Sequence, residues 1–230
     1  MSLYSIYERI PADWIALGIG CLSVWLYLRM LSKVRPSEPV GPILGLVSDV
    51  FFAYVLFNRF VAGLIVGFDF NIKNDVLSMV NGSSRYGWFI GVLAVAGYLS
   101  LKFYRNKELH QAKVILLGSR AFLFGGILVF AFLTATSLHP FRLEAVVRGI
   151  GFLLMWAITL KSSAKQYVVG FVWIGVSLLL LASSMIVPQT VVWLWFTPAQ
   201  WVYVGVMGAG YIGFVRGFTR KTETQPNTAE

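Results

Sequence analysis

Residues 51–68 read FFAYVLFNRFVAGLIVGF, an apolar run interrupted only by Asn58 and Arg59. Extended upstream to Ile43, the run exceeds the roughly 20 residues that a helix needs to cross a bilayer. A guanidinium stays charged at any physiological pH, so it cannot escape by losing a proton. Holding it at membrane depth costs about 2.5–3.5 kcal/mol on insertion scales. Such a residue faces a bundle interior or a wet cavity and takes a partner there. The stretch therefore predicts a membrane-spanning helix and marks a position for a site.

The rest of the chain repeats the first half of that pattern. Its 230 residues are 57% hydrophobic and 13% charged, with a mean hydropathy of +0.73. A soluble domain carries roughly 25% charged residues. Candidate spans cover residues 14–31, 43–68, 87–104, 114–136, 146–160, 168–187 and 199–218. The predicted class is an all-α integral membrane protein, a bundle of about seven transmembrane helices. Residues 1–221 form one polytopic membrane domain, and residues 222–230 a polar, disordered cytoplasmic tail. The amino-terminal stretch has no short signal peptide with a small-residue cleavage site.

Basic residues supply the direction. Arg29, Lys33 and Arg35 follow the first span, and Lys102, Arg105, Lys107 and Lys113 follow the third. Lys161 and Lys165 follow the fifth, and Arg216, Arg220 and Lys221 follow the seventh. The opposite side holds fewer: Arg9, Lys73, Arg85, Arg142 and Arg148. Cytoplasmic loops collect Lys and Arg, so the amino terminus is expected outside and the carboxyl terminus inside. The same bias accounts for the net charge of +9, and no nucleic-acid partner is expected. The lone Cys21 can form neither an internal disulfide nor a CxxC pair. His110 and His139 are predicted on opposite faces, so no metal site and no cofactor are expected.

Few polar residues fall within the spans. Asp49 and Arg59 are ten residues apart, about 15 Å along a straight helix and on different faces, so they do not pair directly. Arg59, with Asn58 beside it, reads as an anchor for a lipid phosphate or carboxylate, which the guanidinium fork binds bidentately. The other reading is a structural arginine satisfied by carbonyls or snorkelling to headgroups. Arg85, Arg142 and Arg148 on the outer face read either as a basic rim around an anionic-lipid cavity or as ordinary headgroup contacts. Arg120, about 10 Å into the fourth span, is expected to snorkel. His139 and Glu144 suit a general base and its orienting carboxylate. Gly125-Gly126, Gly149, Gly151, Gly208 and Gly210 favour close helix packing.

Three stretches carry a family resemblance. They are FNRFVAGLIV at residues 57–66, SRYGW at 84–88 and GGILVF at 125–130. Over about residues 12–136 the chain resembles prolipoprotein diacylglyceryl transferase, a seven-span bacterial enzyme with its amino terminus outside. Arg59 falls on the arginine of that family's GGR-LGYVLF pattern. Tyr86 stands at the histidine of its SFHGG signature and Trp88 at the second glycine. In its GRIGNF motif, Gly126 replaces the arginine and Val129 the asparagine.

The resemblance implies transfer of a diacylglyceryl group from phosphatidylglycerol to a lipoprotein cysteine at the outer leaflet. Such chemistry needs a clamp on the phosphate, activation of the thiol and stabilisation of the leaving group. Arg59, Arg85 and Arg148 suit the clamp; Tyr86, His139 and Glu144 are the catalytic candidates. A free tyrosine, with a pKa of about 10, is a poor base at neutral pH. The expectation is a protein of a bacterial-type plasma membrane that handles anionic, phosphatidylglycerol-like phospholipid, with degraded transferase motifs. A non-catalytic scaffold that binds lipid, a lipoprotein or another membrane protein is the alternative. A small transporter or channel subunit is a third, although Asp49, Arg59 and Arg120 do not trace a polar path.

Overall fold

The computed structural model describes residues 12–58, 87–106, 109, 111–162, 166–187 and 196–223. Apolar segments separated by short polar connections fold there as seven α-helices. They are α1 (Ala12–Val34), α2 (Gly41–Leu56), α3 (Gly87–Arg105), α4 (Ala112–Thr136), α5 (Phe141–Lys161), α6 (Gln166–Ser183) and α7 (Pro198–Glu223). Each falls on one of the predicted spans. Among the described residues, Ile15–Val34, α4 and α5 are long and apolar enough to cross a membrane; α2 and the Tyr167–Ser183 part of α6 are apolar but shorter. Pro42 opens α2, where its missing N–H costs nothing. Helix α2 runs on through a π turn at residues 57–58. The rest of the predicted second span, Arg59 included, lies outside the described residues.

Side-chain contacts show that neighbouring helices alternate in direction. Tyr98 of α3 meets Asp49 of α2, while Asn58, nine residues on, meets Gly91, seven residues back. Helix α4 runs against α1 through Tyr27 on Phe124 and Gly20 on Val129. Against α5 it runs through Arg120 on Thr159 and Phe130 on Phe152. Helix α6 opposes α5, and α7 opposes α6. One end of the bundle thus gathers the starts of α1, α3, α5 and α7. The other gathers their ends, where Lys33, Lys102, Arg105 and Lys161 lie.

Two apolar clusters form the interior. Leu28, Ile43, Val114, Leu117 and Ala121 join α1, α2 and α4. Leu123, Phe152, Val172 and Val176 join α4, α5 and α6. The tightest approach is between α6 and α7. A side chain at Gly170 would strike the backbone of Gly210 and Phe214, and one at Gly210 would meet the Gly170 carbonyl at 3.1 Å. Only hydrogen fits at both positions, so the two backbones touch.

The interior is apolar, and so is much of the outer surface. Large apolar side chains such as Leu22, Phe52, Leu93, Leu154 and Phe171 face outward. Buried Ser23, Ser119, Thr159 and Ser177 instead turn their hydroxyls back onto carbonyls three or four residues earlier. Water would oppose so much exposed apolar surface. A hydrocarbon surround accepts it and requires that the hydroxyls find internal partners. The helices and this distribution are those of a membrane protein.

Candidate functional site

Helix α5 positions the charged residues at the end where it begins. The His139–Pro140 peptide bond is cis, and the helix starts one residue later. Glu144 then lies in the first turn and Arg148 one turn beyond, the spacing that puts two side chains on one face. The Arg148 guanidinium makes an ion pair with the Glu144 carboxylate, both largely buried. Its Nε donates to Ser183 Oγ at 2.9 Å, and its edge lies over the Phe130 ring at 5.9 Å. A buried charge is tolerable only when paired and hydrogen-bonded. Arg148 meets both conditions within the protein.

The polar cluster continues into α7. Thr197-Pro198-Ala199-Gln200 is a capping box: the Thr197 amide donates to Gln200 Oε1 at 2.8 Å, and the Gln200 amide donates to Thr197 Oγ1 at 3.3 Å. The Gln200 amide group also donates to Ser184 Oγ at 3.0 Å. Ser183, Ser184, Thr197 and Gln200 are all buried. Sequence reasoning missed these four. The Thr-Pro-x-Gln spacing is readable as a helix start, whereas the two serines carry no local signal.

The sequence candidates are distributed as follows. Glu144 and Arg148 come together, so the carboxylate proposed to orient His139 is engaged by Arg148. His139 and Arg142 are exposed at the same end, and Arg142 Nε donates to the Ser137 carbonyl at 3.1 Å. Leu138 and Phe141, 78% and 57% exposed, flank them. Asn58 packs against α3, where a side chain at Gly91 would meet its Cβ at 3.1 Å. That contact sets the two ends of the described chain that border residues 59–86 side by side. Arg59, Arg85 and Tyr86 themselves lie outside the described residues.

Two further polar clusters lie toward the basic end. Asp49 accepts from the Tyr98 hydroxyl at 2.5 Å and pairs with Lys102 at 3.2 Å, half exposed on the α2–α3 flank. Arg120, expected to snorkel, is instead turned onto the end of α5. Its Nε donates to the Thr159 carbonyl at 3.0 Å, and its Nη2 bonds both that carbonyl and Ser162 O. The carbonyls at a helix carboxyl end carry partial negative charge, which suits them to hold a cation. Beside it a groove of about 580 Å³ runs between α1, α4 and α5. Trp156, on its wall, holds its indole N–H buried without a hydrogen-bond partner among the described residues.

No family model, curated protein or solved structure matches the chain.

Proposed function

We propose that the chain is a seven-span protein of a bacterial-type plasma membrane, amino terminus outside and carboxyl terminus inside. In this reading it binds anionic, phosphatidylglycerol-like phospholipid at the outer leaflet on a diacylglyceryl transferase-like scaffold, without that family's chemistry. The observation that carries it is the rim at the start of α5. Exposed Arg142 shares this end of α5 with protruding Leu138 and Phe141, a combination of cation and apolar anchors suited to the headgroup boundary. The concentration of basic residues at the opposite end of the bundle supports the orientation.

The core supports the non-catalytic form. The resemblance puts an essential arginine at Gly126, and a side chain there would run into the Phe152 ring. Phe152 is itself buried among Leu123, Val172 and Val176. A catalytic centre that handles a phosphate ester needs charge and polar donors at such a point, and this one is packed with apolar groups.

The second reading is an active transferase, for which the resemblance offers Arg59, Arg85 and Tyr86. One experiment addresses both readings. Full-length protein in nanodiscs of equal phosphatidylglycerol and phosphatidylcholine is examined by native mass spectrometry and then incubated with a lipobox peptide. The expected result is retained phosphatidylglycerol that falls in Arg59→Ala and Arg142→Ala, with no diacylglyceryl transfer. Unchanged lipid in both variants would sink the binding reading, and transfer that Arg59→Ala abolishes would establish the enzymatic one.

A further inference from the structure

We infer that the groove between α1, α4 and α5 is a second phospholipid site, at the opposite end of the bundle from the α5 rim. It takes an anionic diacyl lipid from the leaflet on the basic side. Its shape comes from helix spacing. Leu117, Arg120, Phe124 and Leu128 line it from one stripe of α4, about 16 Å along the axis at 1.5 Å per residue. A matching stripe of α1, from Ser23 to Val34, forms the facing wall, with Arg35 just beyond the helix end. The volume of about 580 Å³ is that of a ligand site, for which roughly 300–1,000 Å³ is usual. A long trough with Leu26, Met30 and Leu128 along it suits an extended acyl chain better than a compact solute.

Charge selects the headgroup. Arg35 and Arg120 lie toward the end of the groove nearest the basic connections, and among the described residues Glu38 is the one acidic residue in its lining. Glu38 is paired with Lys113 at 3.5 Å. Among the described residues Arg120 is held by carbonyl dipoles and not by a carboxylate, so a net positive charge of about half a unit remains beside the groove. The acyl chain runs from there toward Ser23 and Leu128, past Tyr27, Phe124 and Trp156. Helix α1 leaves the entry open to the surround, with Met30 67% exposed. Cytoplasmic leaflets are rich in anionic lipid, which matches the positive field. None of the residues at the α5 rim takes part, so this site stands or falls separately from the outer-leaflet reading.

The test uses full-length protein carrying both Arg59→Ala and Arg142→Ala, so that the outer-leaflet site does not contribute. In nanodiscs of equal phosphatidylglycerol and phosphatidylcholine, native mass spectrometry should show one retained phosphatidylglycerol in preference to phosphatidylcholine. Met30→Trp fills the trough from an exposed position, and Arg35→Glu reverses the charge at its mouth. Each should cut retained phosphatidylglycerol about tenfold, the effect of one lost charge-assisted contact or a blocked chain, with unchanged thermal unfolding. Retention in both variants equal to the parent would overturn the site. So would retention in the parent with no preference between the two lipids.

Discussion

Helix α5 has an arginine at each end, and the two are satisfied by different means. At its start Arg148 meets a full negative charge, that of Glu144 one turn back, and adds Ser183. At its end Arg120, arriving from α4, meets only dipoles, the carbonyls of Thr159 and Ser162. The first arrangement is a neutral pair. The second keeps its unit charge, offset in part by the roughly half charge of a helix carboxyl end. An arginine at membrane depth is therefore not a functional mark by its position alone. What matters is how much of its field survives once its partners are counted, and on that measure Arg120 outranks Arg148.

Removing the carboxylate should break this contrast most sharply. Glu144→Ala leaves Arg148 largely buried without its counter-charge, at a cost of about 3–5 kcal/mol in unfolding stability. The double variant Glu144→Leu/Arg148→Met should recover most of that loss, because an apolar replacement of a buried pair is often neutral. Failure to recover would mean that the pair serves more than its own neutralisation. Arg120→Met should cost less, about 1.5–3 kcal/mol, as charge-assisted bonds to two carbonyls are lost. A cost equal to that of Glu144→Ala would erase the distinction between the two ends.

Smaller changes sharpen the comparison further. Ser183→Ala removes one partner of Arg148 and should cost about 1 kcal/mol, and Gln200→Ala about as much through the lost cap. The smallest effect is expected beside Arg120. Trp173 Nε1 donates to Ser119 Oγ at 3.0 Å, so Trp173→Phe should cost about 1 kcal/mol. The Trp156 N–H meets no acceptor in good geometry among the described residues, and Trp156→Phe should cost less than Trp173→Phe. A loss equal to that of Trp173→Phe would show that Trp156 has an acceptor after all.

The helices were legible because hydropathy and loop charge are local properties. Each described helix lies on an apolar run, and polar connections mark the gaps. The partners were less legible. Glu144 and Arg148 are four residues apart and could be paired by spacing, yet His139 competes for the same carboxylate until the helix start is known. Arg120 bonds carbonyls 39 and 42 residues away, and every helix end offers carbonyls, so nothing in composition singles these out. Asp49 finds Tyr98 and Lys102 only through the α2–α3 register. Among the glycines, Gly125, Gly126, Gly151 and Gly210 do sit at close contacts, while Gly208 meets nothing and Gly170, which meets the backbone of α7, was not singled out. Packing of that kind depends on which helices are neighbours.

The placement of the Glu144–Arg148 pair on a single helix bears on how the chain is made. Of the four charges on α5, Glu144 and Arg148 neutralise each other as soon as its first turns wind, while Arg142 and Lys161 sit at its two ends. The middle of α5 can therefore partition into lipid without an unpaired charge. Helix α4 carries Arg120 at a cost of about 2.5–3.5 kcal/mol until the far end of α5 supplies its carbonyls. Entry of the two helices as a hairpin lowers that cost.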